Sequence, residues 1–373
     1  MRVLYYSPTL LSPGGGGSHA RGLREAFARL GHEVCALPEG SVRSPERAPE
    51  TSWLPEYLKV LGREARARVR HRHANDVLAA AAGFSPEIAV VRRATYDLTC
   101  DALVRRLACP IVAEVNAVLA YEADTWGEQI PDWEAARERA FLWKARRVCP
   151  ISDEVARDVT RVGIQADRIV VVENGVDDVM FSPDTPVDSA AADWSATRSY
   201  VIGYSGSVGA LHDIETLTLA AEQVLAKVPG AGFLWIGVSK DDLSRFGTQR
   251  VVAASRCTGP VDHRVVARSL AVSDVCWGAF KYGYGSPLKV YEYAALARPT
   301  VIAAEGMPAR VVEASAAGIA VARADSDALA EAVVGLLGDP ERRVALGQRG
   351  REWVESGHTW MHVARAMIEG VVE

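Results

Sequence analysis

No apolar run in this chain approaches the roughly 20 residues that a membrane-spanning helix needs. No basic excess exists either: 42 Lys and Arg stand against 47 Asp and Glu, a formal charge of −5. Nucleic-acid binders usually carry a basic excess or a basic face, so that class is disfavoured. The six cysteines (Cys35, Cys100, Cys109, Cys149, Cys257, Cys276) form no close pair at metal-ligand spacing. Buried thiols in a reducing cytoplasm are the expectation. Internal short-period repeats and low-complexity tracts are missing too. Met1–Leu11 has one charge and a short apolar run before Pro13, and it reads as a first buried strand rather than a secretory leader.

What remains is an ordinary globular composition, 49% hydrophobic and 24% charged. A single core rarely grows past roughly 250–300 residues, so 373 residues predict two domains. In the first half, short apolar runs alternate with amphipathic stretches: Arg2–Tyr6, a helix through Ala20–Leu30, His32–Leu37, Ile88–Val91, Pro110–Val115, Arg147–Ile151 and Arg168–Val172. Such alternation implies βαβ units and a parallel sheet. Residues 183–199 hold small polar residues without periodicity and read as a linker. The pattern then restarts with Tyr200–Tyr204, a helix over Ile214–Val228, and strands at Gly232–Val238, Gln249–Ala253, Val275–Trp277, Thr300–Ala303 and Ile319–Val321. The expected architecture is α/β, with a Rossmann-like domain over 1–182, a second over 200–358, and a cleft where their strand ends face each other. Residues 359–373 have apolar positions close to helical spacing and need a partner surface, for which the first domain is a candidate.

Two glycine-rich stretches point to a ligand. Gly14–Gly17, followed by Ser18 and His19, lies between the first strand and the first helix, where backbone amides can approach an anion. A plain tight turn explains it equally well. The spacing is not G-x-G-x-x-G, and the second strand ends Ala36-Leu37-Pro38, without the acid that would hold a dinucleotide ribose. Tyr282–Tyr293 is more informative. A Gly-rich loop with Ser286-Pro287 leads into a helix carrying Lys289 and Glu292 one turn apart. Lys289 suits a diphosphate and Glu292 suits ribose hydroxyls; a surface ion pair is the plain alternative.

The chain resembles the retaining GT-B glycosyltransferases of family 4 over nearly its whole length. Four segments carry the resemblance: GGGGSHARGLREAFARLGHEV, ISDEVARDVTRVGIQADRIVVVENGVDDVMFSP, YSGSVGALHDIETLTLA and SPLKVYEYAALARPTVIA. It implies a nucleotide-sugar donor held mainly by the second domain; separately, no His, Cys or Asp cluster has metal-ligand spacing, so neither metal nor cofactor is expected. Glu292 then matches the ribose-binding carboxylate, and Ser286, Pro287, Leu288 and Lys289 line the diphosphate loop. Gly206 and Ser207 approach the phosphates, while the loop Thr258–Val261 reads the base through its backbone. Gly15, Gly16, Gly17 and His19 border acceptor and phosphate from the first domain. Three positions depart from the family pattern. Tyr284 stands where the first of two paired glutamates is usual, Ser207 and His212 fall near the usual Arg and Lys phosphate partners, and Asn116 takes a histidine position in Ala113-Glu114-Val115-Asn116-Ala117. His212 is open to two readings, phosphate donor or helix cap.

The resemblance further implies retention by front-face attack, with the leaving diphosphate taking the acceptor's proton and Lys289 stabilising its charge. Asn116 and Glu114 are the acceptor-side candidates; a buried carboxylate satisfied by backbone amides is the plain reading of Glu114. Asp177-Asp178 is read as turn chemistry rather than a metal site. A UDP-sugar is the expected donor, and a small natural product, an aminocyclitol or a glycan the expected acceptor. An epimerase of nucleotide sugars and a non-catalytic sugar-nucleotide sensor are the rivals. The basic stretch Leu54–His73 suits weak contact with an anionic membrane or a solvated outer face, so the expected location is cytoplasmic, peripheral at most. The oligomeric state is left open.

Overall fold

The computed structural model describes residues 1–12, 14–38, 62, 65, 74–126, 130–209 and 211–372. Apart from Gly62 and Ala65, the basic stretch Leu54–His73 lies outside the described residues. The chain divides into two units, Met1–Asn174 with Trp360–Glu373, and Gly175–Thr359.

The first unit is built on five parallel strands, β1 (Arg2–Tyr6), β2 (Glu33–Leu37), β3 (Ile88–Arg92), β4 (Ile111–Val115) and β5 (Arg147–Pro150), in the order β2-β1-β3-β4-β5. Their residues are apolar almost without interruption because helices cover both faces of such a sheet. The order reverses between β1 and β3, and ligands of open parallel sheets bind beyond the strand ends at such a reversal. The helix Gly15–Arg29 follows β1 and buries Ala20, Leu23, Ala26 and Phe27 on one face. The helix Trp360–Ile368 packs across it. Gly22 makes this possible, since a β-carbon there would collide with the Trp360 indole. Arg147 donates to the carbonyls of Ala366 (3.1 Å) and Met367 (3.2 Å), placing a cation at the negative end of that helix.

Six parallel strands form the second unit: β6 (Tyr200–Ser205), β7 (Ala231–Ile236), β8 (Ser255–Cys257), β9 (Val275–Ala279), β10 (Thr300–Ala303) and β11 (Gly318–Val321), ordered β11-β10-β9-β6-β7-β8. Side chains alternate between two cores. Ile202, Phe233, Trp235, Val275, Trp277 and Val301 pack on one face. Val201, Leu234, Ile236, Cys276 and Ile302 pack on the other. This two-residue period through buried strands is what a sheet sandwiched between helices requires. The strand order reverses between β6 and β9.

Several sequence expectations change. Residues 183–199 are not a linker; they lie in the second unit, where the Asp188 side chain caps a helix Ser189–Ser195. The division falls at Asn174 and Gly175, before the expected boundary at 182. Gln249–Ala253 is a helix capped by Thr248, and the strand is the following Ser255–Cys257. Arg168–Val172 makes only an isolated bridge, Val148 to Ile169, and leaves Val170 and Val171 exposed beside β5. Asp177 accepts from the amides of Val179 (3.1 Å) and Met180 (3.0 Å), which is turn chemistry. Cys100, Cys149 and Cys276 are buried, whereas Cys35, Cys109 and Cys257 are only half-buried, and none of the six is in a disulfide.

Candidate active site

In the second unit the reversal of strand order brings together the loop after β6 and the loop after β9. Gly206 follows β6 with φ +144° and donates its amide to Ile236 O at 2.9 Å. Only a residue without a β-carbon fits there, because that atom would stand 2.9 Å from Lys289 Nζ. Lys289 belongs to the helix Leu288–Ala295, on whose face Val290, Tyr291, Tyr293 and Ala294 are buried. Its own amine is 8% exposed with its residue and makes no hydrogen bond with the described residues. Nζ sits 4.2 Å from the Tyr204 ring centroid and 5.4 Å from that of Phe280. Burial pulls its pKa down to about 7, with Glu292 opposing the shift. A buried ammonium without an anion is costly, so this arrangement favours a ligand that supplies one.

The helix is locked in place by Tyr293. Its hydroxyl accepts from the Ser205 amide at 2.9 Å and approaches Trp277 O at 3.4 Å, tying the helix to the ends of β6 and β9. One turn on from Lys289, Glu292 Oε1 lies 2.7 Å from His263 Nε2. Ser286 Oγ is buried without a hydrogen bond among the described residues, Pro287 is buried at the helix start, and Leu288 and Tyr284 are half-buried. Thr258 spends its hydroxyl on the loops, accepting from Gly237 N (3.1 Å) and donating to Gly259 O (2.7 Å), while Val261 is exposed.

His212 is not the helix cap. Burial pushes its pKa down to about 3, with Lys289 adding to the effect, so the ring is neutral. Nδ1–H then donates to Ser207 O at 2.8 Å, which leaves Nε2 a bare acceptor. The cap of the helix Ile214–Lys227 is Asp213, accepting from Thr216 N at 3.2 Å.

In the first unit, the Gly15–Gly17 turn opens the helix after β1. A β-carbon on Gly17 would run into Ser12 O, so the loop folds back closely on this helix start. His19 points inward. Its Nε2 is 2.8 Å from Glu114 Oε1, a close contact that lacks hydrogen-bond alignment. Glu114 also accepts from the Tyr5 hydroxyl at 3.1 Å and lies 3.7 Å from Arg92 Nη1. Burial opposes its ionisation, yet His19, Arg92 and Tyr5 together hold its pKa below the usual carboxylate value. The partners of Glu114 are thus side chains rather than backbone amides. Asn116, half-buried at the end of β4, packs its side-chain amide against the Arg92 guanidinium; only with the amide turned so that Oδ1 faces Arg92 are both groups satisfied, Oδ1 then accepting from Nη2 at 2.6 Å and Nη1 at 3.1 Å. Its NH2 group then faces away from the guanidinium.

Two families described from known proteins match successive parts of the chain. Glycosyltransferase Family 4 covers residues 13–179, and Glycosyl transferases group 1 covers residues 199–339. The chain belongs to the family 4 glycosyltransferases. This glycosyltransferase is 30% identical over 202 residues to the GDP-mannose-dependent monoacylated alpha-(1-6)-phosphatidylinositol monomannoside mannosyltransferase of Corynebacterium glutamicum. That match spans 50% of this chain and about half, 51%, of the relative's length. Sucrose-phosphate synthase from Thermosynechococcus elongatus shares the fold at a TM-score of 0.74 and 22% identity, over 98% of this chain and 97% of that one. HepE from Anabaena, solved in complex with UDP and glucose, does so at 0.67 and 13%, over 99% and 98%. The glycosyltransferase is accordingly a GT-B protein with two Rossmann-like domains. Among the described residues no group of three or more His, Cys, Asp and Glu could hold a metal ion, and no helix is long and apolar enough to cross a membrane.

Of the residues expected at the site, the second unit gathers Gly206, Ser207, Ser286, Pro287, Lys289 and Glu292 around one strand-order reversal. The first unit brings His19, Glu114 and Asn116 into one polar chain through Arg92. Arg92, Tyr293 and His263 escaped the sequence. Arg92 carried the only signal, a charged residue ending the apolar run Ile88–Val91.

Proposed function

We propose that this enzyme transfers a hexosyl unit from a nucleoside-diphosphate sugar to an acceptor hydroxyl with retention of configuration, and without a metal. The observation that carries the proposal is Lys289: a buried amine, unpartnered among the described residues, 2.9 Å from the absent β-carbon of Gly206. A diphosphate there supplies the missing anion. Lys289 and the amides at the helix start stabilise charge on the departing diphosphate, which is worth about 10²–10³ in rate when one such contact is removed. The diphosphate oxygen takes the acceptor proton as the new glycosidic bond forms on the same face, so no strong protein base is needed. Glu292 binds the ribose hydroxyls, and Asn116 offers an amide donor to acceptor or sugar.

UDP-glucose is the first donor to test, since HepE was solved with UDP and glucose, and GDP-mannose is the second, after the Corynebacterium relative. Each is incubated with a panel of sugar and aminocyclitol acceptors in the presence of EDTA. Acceptor-dependent release of nucleoside diphosphate with retained anomeric configuration supports the proposal. A changed donor sugar indicates an epimerase, and binding without turnover indicates a sensor; either outcome overturns it.

A further inference from the structure

His263 is paired with Glu292 across 29 residues of sequence, at 2.7 Å between Nε2 and Oε1. Both partners are held from behind. His263 opens the helix His263–Leu270, whose first turn is fixed by Asp262 accepting from Arg264 N at 2.9 Å. Its ring packs against Phe181, which is fully buried, with centroids 5.0 Å apart. Glu292 is held by the Tyr293 anchor one residue on, to Ser205 and to Trp277 O. The pair keeps an open side: the side chains are 27% and 13% exposed, and it is Oε1 of Glu292 that His263 holds.

A carboxylate only accepts hydrogen bonds, so Nε2 carries the shared proton. That bond removes the rotational freedom a glutamate at this position otherwise has. We propose that His263 is a positioning residue for nucleotide binding: by holding Oε1, it presents Glu292 to the 2′- and 3′-hydroxyls of a ribose and makes the site distinguish ribonucleotides from 2′-deoxynucleotides. The inference rests on the donor-site reading given above and adds the residue that gives Glu292 its direction. His263 does not itself touch the ligand. Its contribution is prepaid order, which strengthens a contact without adding one.

The test uses the full chain and four probes, UDP, 2′-deoxy-UDP, GDP and 2′-deoxy-GDP, titrated calorimetrically. In the wild type, loss of the 2′-hydroxyl from the preferred diphosphate weakens binding by about tenfold or more, as expected for a hydrogen bond to a charged group. Glu292→Gln lowers that ratio. His263→Leu lowers it toward unity, while His263→Gln, which restores an N–H donor, recovers most of it. A merely structural histidine would weaken all four probes alike and leave the ratio untouched. A wild-type ratio in His263→Leu overturns the inference, as does a His263→Gln protein that is folded but no better than the Leu variant. If neither ribonucleotide binds the wild type, the donor-site reading itself falls, and this inference with it.

Discussion

Gly206 and Lys289 meet over a gap of 2.9 Å, measured from the point where a β-carbon of Gly206 would stand to Lys289 Nζ. The loop after β6 and the helix after β9 are therefore fitted to one another at a single point. Gly206→Ala puts a methyl group against the amine and forces φ +144° on a residue with a side chain. We expect destabilisation of about 1–3 kcal/mol, from that strain, and a loss of UDP affinity larger than the loss of stability. Urea unfolding and calorimetric titration on the same preparation check both.

Lys289→Met should separate binding from folding. Replacing an unpaired buried amine with an apolar chain of similar length removes a desolvation penalty, so the free protein should be no less stable than wild type. Nucleoside diphosphate affinity should fall by about tenfold or more, the worth of a hydrogen bond to a charged group. A variant that binds UDP like the wild type sinks the donor-site reading.

The same lysine predicts a pH effect. Its folded pKa of about 7 lies below the ordinary lysine value of 10.5, so between those values the unfolded state holds a proton that the folded state lacks. Its contribution to stability accordingly rises with pH through that window and is least favourable below about 7. A bound diphosphate restores the proton. At pH 8, UDP binding should be accompanied by proton uptake, visible as a dependence of binding enthalpy on the ionisation heat of the buffer, and Lys289→Met should abolish it.

His19→Leu is expected to harm the first unit. Glu114 keeps Arg92 at 3.7 Å and Tyr5 at 3.1 Å but loses its nearest partner. Leaving a buried acceptor short of a partner costs about 1–3 kcal/mol. Because the folded pKa of Glu114 is depressed, its stabilisation is present above the usual carboxylate pKa and vanishes as pH falls through the folded value. The variant should therefore unfold at a higher pH on acid titration, followed by circular dichroism.

Asn116→Asp tests the polar chain at the end of β4. An aspartate there keeps the contact with Arg92, now as an ion pair, but cannot present an amide donor. Thermal stability should hold or rise, while the KM for the acceptor found in the donor–acceptor screen increases. An unchanged KM would remove Asn116 from the acceptor side.

The parallel sheets were legible because buried strands leave uninterrupted apolar runs, as at Ile88–Val91 and Gly232–Val238. The same rule misled at Arg168–Val172, where three valines sit beside an edge strand and leave Val170 and Val171 exposed. At Gln249–Ala253 the adjacent valines belong to a helix announced by Thr248, a cap that outweighs their β preference. The site was legible where its residues are sequence neighbours, as in Ser286–Glu292. It was not where partners come from afar: His263 reaches Glu292, and Tyr293 reaches Ser205 over 88 residues. No local pattern encodes a bond whose two ends are joined only by the fold.

The Trp360–Ile368 helix also sets an order of events during synthesis. Residues 15–29 emerge from the ribosome early, yet the helix that covers their outer face is translated only after the whole of Gly175–Thr359. Throughout that interval the nascent first unit carries an uncovered stripe around Gly22, and its completion waits until the second unit has been made.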